Sequence, residues 1–130
     1  MITACNCTWC QRRSGSVFSV ASRWLLEQVV SREGELSTFR RLGTSGGQVS
    51  VSFCPTCAST VMTELEALPD VIGIPVGAFA DPVFPAPQVA VWCSEKAQWV
   101  EFPRETLLLS DQSHPFHRSR YSPDAQKPPC

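Results

Sequence analysis

The chain has 130 residues, 43% apolar, 9% aromatic and 18% charged, material for one domain with a single modest core. Eleven Lys and Arg against twelve Asp and Glu leave a net charge of −1, so bulk charge points to neither nucleic acid nor an anionic membrane as a partner. No run approaches the roughly 18 consecutive apolar residues that a spanning helix requires.

Met1-Ile2-Thr3-Ala4 runs directly into the first notable motif, Cys5-x-Cys7-x-x-Cys10. With the motif this close to Met1, no secretory leader is expected, and a cytoplasmic, reducing setting is expected, where thiols stay free for metal. Residues i and i+2 of an extended segment share a face, so Cys5 and Cys7 can enter from a strand end and Cys10 from the turn that follows. Sulfurs held about 2.3 Å from a tetrahedral zinc lie roughly 3.8 Å apart, a separation these spacings can reach. A short helix is expected over residues 8–13, ended by Gly15. Residues 16–22 read as a strand, and 24–30 as either a short helix or a strand.

A hairpin is predicted from 36–42 through Thr44-Ser45-Gly46-Gly47 into 48–53, where Val49, Val51 and Phe53 alternate with polar residues and turn inward. That strand delivers Cys54 at its end and opens the second cluster, Cys54-x-x-Cys57. Further strands are expected over 60–65, 70–76 and 89–93, divided by Leu68-Pro69-Asp70, Gly77 and Asp81-Pro82. Cys93 reads as a small buried hydrophobe, and Trp92 and Trp99 as core or pocket wall. The domain is assigned to residues 1–109. Residues 110–130 read as a weakly ordered tail, with His114 and His117 solvated and Cys130 exposed.

A disulfide framework and inert packed thiols are the other uses open to these cysteines, the first being typical of secreted chains with evenly spread Cys. Metal binding itself allows two groupings. Cys7, Cys10, Cys54 and Cys57 could close a four-thiolate ribbon, a non-catalytic zinc module that leaves Cys5 spare. Alternatively, Cys5, Cys7 and Cys10 form a site of their own.

Several blocks agree in order and spacing with one family: Cys5-Asn6-Cys7-Thr8-Trp9-Cys10-Gln11-Arg12-Arg13-Ser14-Gly15, Gly34-Glu35-Leu36-Ser37-Thr38-Phe39, Phe53-Cys54-Pro55-Thr56-Cys57, Gly77-Ala78-Phe79-Ala80-Asp81-Pro82 and Trp92-x6-Trp99. Over about residues 5–103 the chain resembles the glutathione-dependent formaldehyde-activating enzymes, a family that includes centromere protein V. The resemblance implies a mainly β, Mss4-like or β-tent zinc-binding fold. It implies that Cys5, Cys7 and Cys10 hold a catalytic zinc and that Cys54 and Cys57 are half of a structural zinc site, giving one or two Zn²⁺ per chain. The family completes the second site with a Cys-x-Cys about twenty residues upstream, which this sequence does not contain. The chain is therefore expected to be N-terminally truncated relative to the family pattern, either because the natural start lies further upstream or because the pair has been lost. Ala58 and Ala90 stand where the family usually has Gly and often has His.

The activity so implied is that of a carbon–sulfur lyase like S-(hydroxymethyl)glutathione synthase, with glutathione as cosubstrate and formaldehyde or another small aldehyde as partner. The alternative is a non-catalytic zinc-binding module or glutathione carrier. Three thiolates leave one zinc position open and a net charge near −1, and a soft incoming thiol suits that position better than water does. Arg12 and Arg13 follow the third cysteine and could pair with glutathione carboxylates, or be solvated charges at a helix end. Turn formation already explains Ser14, Gly15 and Ser16.

Overall fold

Short alternating and β-branched segments dominate the sequence, and eight of them join one sheet in the computed structural model, which describes residues 1–44 and 46–111. The strands are β1 (Ile2–Cys5), β2 (Ser19–Leu25), β3 (Ser37–Leu42), β4 (Gln48–Phe53), β5 (Thr60–Leu65), β6 (Leu68–Pro75), β7 (Val89–Val91) and β8 (Leu107–Leu108). Their order across the sheet is β3-β4-β5-β6-β2-β1-β7-β8. Neighbours are antiparallel except for β1 with β7 and β7 with β8, which are parallel. Helix is confined to α1 (Thr8–Ser14) and to 3-10 turns at Leu26–Gln28, Val76–Phe79 and Cys93–Glu95. The fold is mainly β, as the sequence predicts. Among the described residues no helix is long and apolar enough to cross a membrane.

The predicted hairpin forms with Leu42 opposite Gln48 and Ser37 opposite Phe53. Of its alternating apolar residues only Val51 is fully buried. Ser52 is buried too, because its hydroxyl pairs with that of Thr38 across the hairpin at 3.1 Å. The next strand, β5, has the expected bounds.

Three boundaries differ from expectation. The strand read at 16–22 begins only at Ser19 and continues through Leu25, because Phe18 leaves the sheet to pack on Phe102, with ring centroids 5.4 Å apart. The ambiguous 24–30 segment thus divides into a strand end and a 3-10 turn. Leu68-Pro69-Asp70 starts β6 rather than dividing strands. The turn is Glu66-Ala67, and proline is tolerated near a strand start beside the register shift at Glu64/Leu65. Finally, β7 stops at Val91 because Trp92 adopts a left-handed conformation, φ 56, which sends the chain into the 3-10 turn that begins at Cys93.

The core runs along the middle of the sheet. Ile2 and Ala4 of β1, Ala21 and Leu25 of β2, Val71 and Ile72 of β6, and all of β7 are buried. Trp99, expected as core or pocket wall, is 74% exposed. At the far edge Thr106 hydrogen-bonds Pro87 and Leu109 donates to Ala90, so the chain is tied down through β8. Residues His114, His117 and Cys130 lie outside the described residues.

Candidate metal centre

Strand β1 sits between β2 and β7 and carries Cys5 as its last residue. The segment that follows is fixed by Asn6, which is 0% exposed: both its backbone N–H and its side-chain Nδ2 donate to the Val91 carbonyl, at 3.1 and 2.9 Å. A buried amide tied twice to one strand leaves Cys5 and Cys7 little freedom. Helix α1 then begins, with Cys7 as its N-cap and the Cys7 sulfur accepting from the Cys10 N–H at 3.4 Å. Glu95 Oε2 accepts from the Thr8 N–H at 2.6 Å, and Gln11 Nε2 donates to the carbonyls of Asn6 and Glu95. The left-handed turn at Trp92 is what brings the Glu95 segment under the helix. Gly15, at φ 67, ends α1 as expected.

These constraints converge on sulfur. Cys5, Cys7 and Cys10 place their Sγ atoms within 4.8 Å of one another, with Cys5 and Cys7 at 3.5 Å. The three are half-buried and free. Cys7 is drawn down to about 2 because Cys10 and then Cys5 hydrogen-bond its thiolate, while the same sharing with Cys10 and Cys7, together with burial, pushes Cys5 up. Hydrogen bonding among the three sulfurs thus favours one thiolate over three, and a cation is what would let all three ionise. The spacing suits a zinc ion, whose sulfur ligands stand roughly 3.8 Å apart, and the all-thiolate donor set suits a soft metal.

Cys54 and Cys57 stay apart from this cluster. Cys54 directly follows β4 and pairs with the Ser59 carbonyl through its N–H, while Cys57 is exposed beside the Ser59 hydroxyl at 3.3 Å. Among the described residues the only group of three or more metal-ligating side chains is Cys5, Cys7 and Cys10. The fold therefore does not assemble the four-thiolate ribbon. Cys93 is half-buried in the 3-10 turn, not in a strand, and its thiol donates to the Ala90 carbonyl at 3.4 Å.

The three cysteines open onto a cavity of about 120 Å³ walled by Ala21, Pro75, Val91 and Trp92. Arg13 lines it, held by hydrogen bonds to Ser19 at 2.8 Å and Thr60 at 3.1 Å. The Cys10 thiol is nonetheless pushed up: hydrogen bonding with Cys5 lowers it, but hydrogen bonding to Cys7, burial and the Cys7 charge outweigh that and the smaller pull of the Arg13 charge. Arg12 is exposed and does not line the cavity. Ser14 turns back to the Cys10 carbonyl at 2.8 Å, a turn role. Sequence reading missed Trp9, Arg23 and Arg41, which also line the cavity. Arg41 comes from the strand β3, and no local pattern brings it to the cysteines.

A comparison with protein families matches residues 1–95 to the family described as Glutathione-dependent formaldehyde-activating enzyme. No curated protein matches the chain at a significant level.

Proposed function

Because the chain belongs to the glutathione-dependent formaldehyde-activating enzyme family, we propose that Cys5, Cys7 and Cys10 hold a zinc ion at which glutathione is joined to formaldehyde or another small aldehyde. The bond formed is between the thiol sulfur and the carbonyl carbon. The thiol proton ends on the former carbonyl oxygen, giving S-hydroxymethylglutathione from formaldehyde. Zinc, when bound, supplies an open coordination position that favours thiolate over thiol near neutral pH.

The chain's own residues supply the rest. Asn6 and Gln11 hold the ligand segment rigid, so that the three sulfurs keep one geometry. Arg13, fixed at both ends of its guanidinium by Ser19 and Thr60, offers its charge to a substrate carboxylate beside the sulfurs. Ala21, Pro75 and Val91 give the cavity apolar walls that limit water around the reacting atoms. A cytoplasmic setting, where thiols are kept reduced, suits this chemistry.

The observation that carries the reading is that three thiols within 4.8 Å of one another line a cavity shared with a fixed arginine. Zinc content by native mass spectrometry tests it, alongside formaldehyde consumption with glutathione measured above the spontaneous rate. Cys5→Ser is expected to lose the zinc and any acceleration, while Cys54→Ser keeps both. Zinc retained at this site in Cys5→Ser, or no acceleration by the zinc-loaded protein, refutes the proposal.

A further inference from the structure

The cavity beside the cysteines carries a charge pattern that zinc binding does not explain. Among the described residues three arginines line it, Arg13, Arg23 and Arg41, and no aspartate or glutamate does. Two of them converge on a single aromatic ring. The Arg41 guanidinium lies 4.3 Å from the centroid of Trp9 and that of Arg13 lies 5.3 Å from the same centroid. Both distances are within the range of cation–π attraction. The two like charges are therefore separated by no more than the sum of those distances, a repulsive arrangement in a half-buried place.

Among the described residues neither guanidinium is paired with a carboxylate. Arg13 spends two nitrogens on neutral hydroxyls, and its buried Nε has no partner. Arg41 is steadied by its Nε donating to the Leu42 carbonyl at 2.9 Å, which leaves the two terminal nitrogens for another acceptor. Two held guanidiniums that no carboxylate neutralises, lining a cavity with the thiols, are built for an anion with planar acceptor geometry.

Resting on the thiol reading above, we infer that Arg41, Trp9 and Arg13 form a carboxylate subsite which makes the cavity selective for anionic thiols over neutral or cationic ones. The end of β1 and the start of α1 supply the sulfurs, α1 supplies one arm of the subsite, and the β3–β4 hairpin supplies the other. Trp9 acts as the spacer, its ring attracting both cations and keeping the Arg41 fork from swinging into solvent. Arg41 touches the substrate's carboxylate and not the reacting atoms, so it sets which thiol is admitted.

Binding of glutathione and of its diethyl ester, which has the same sulfur with both carboxylates masked, is measured by calorimetry on the zinc-loaded full chain. The wild type is expected to prefer glutathione by about tenfold or more, the worth of one charged hydrogen-bonded pair. Arg41→Gln is expected to weaken glutathione about tenfold while changing the ester less than about twofold, with zinc content unaltered. Arg40→Gln removes the same charge from the adjacent residue of the same strand, whose side chain faces the other side of the sheet, and is expected to change neither. Arg41→Lys keeps the charge and retains a preference for glutathione. Equal loss of both ligands in Arg41→Gln, loss of zinc with it, no preference in Arg41→Lys, or an Arg40→Gln that behaves like Arg41→Gln overturns the subsite. A wild type that binds both thiols equally also overturns the subsite but leaves the thiol reading standing. A zinc-loaded wild type that binds neither removes both.

Discussion

Ala58 follows the second cysteine pair with φ 59, a left-handed conformation in which a Cβ crowds the following carbonyl. It is held there by its N–H bond to the Cys54 carbonyl at 2.9 Å, which closes the turn that presents Cys54 and Cys57. Glycine, the residue usual in the family at this place, adopts that conformation without the Cβ penalty. Ala58→Gly is therefore expected to stabilise the protein by about 0.5–1 kcal/mol, the relief of strain outweighing the extra freedom of the unfolded chain, as urea denaturation can measure. Trp92 pays the same conformational cost at φ 56, but there the strain has a purpose, since it turns β7 into the segment whose Glu95 caps α1. The cysteine triad could be read from spacing because all three cysteines lie within six residues. Asn6 sits inside that same motif, yet nothing local tells that its amide reaches a carbonyl 85 residues away.

At the level of elements, β3, β4 and β5 were legible because each is a six-residue segment between turn residues, with β4 alternating throughout and β3 and β5 rich in strand-forming side chains. The strand expected over 89–93 contains β7, while the two residues of β8 offer no period to read, and the parallel pairing of both beside β1 comes from tertiary packing. The arginine subsite was hidden for the same reason, since it needs β3 brought against α1. Sheet packing also explains Gly73, which stands in β6 directly between Thr63 of β5 and Arg23 of β2. A Cβ there would lie 2.5 Å from Thr63 Oγ1 and 2.6 Å from Arg23 Nη1, so the missing side chain is what lets both neighbours lie across β6. Gly73→Ala is expected to cost about 1–3 kcal/mol, read as a lower urea midpoint, because the Arg23 side chain or the strand must shift.

For the molecule as a whole, a metal bound only by the folded chain contributes directly to stability. With free zinc at about 100 times its dissociation constant the gain is about 2.7 kcal/mol, and a chelator is expected to lower the melting temperature by roughly 10 °C or more. The sign of the pH effect follows from the ligands. Cysteines must shed protons to bind zinc, so the metal-free unfolded chain holds more protons than the loaded folded one, and the zinc-dependent stability falls as pH falls. Melting curves with and without chelator are expected to converge on acidification. The link between Asn6 and Val91 adds a consequence in time. During synthesis Cys5, Cys7 and Cys10 emerge long before the strand that anchors them, since 85 positions separate Asn6 from its acceptor. A nascent chain thus carries three closely spaced thiols while the strand that fixes their geometry is still missing. A zinc ion of the kind proposed would therefore be held tightly only once β7 has joined the sheet, so that metal loading would follow folding and not seed it.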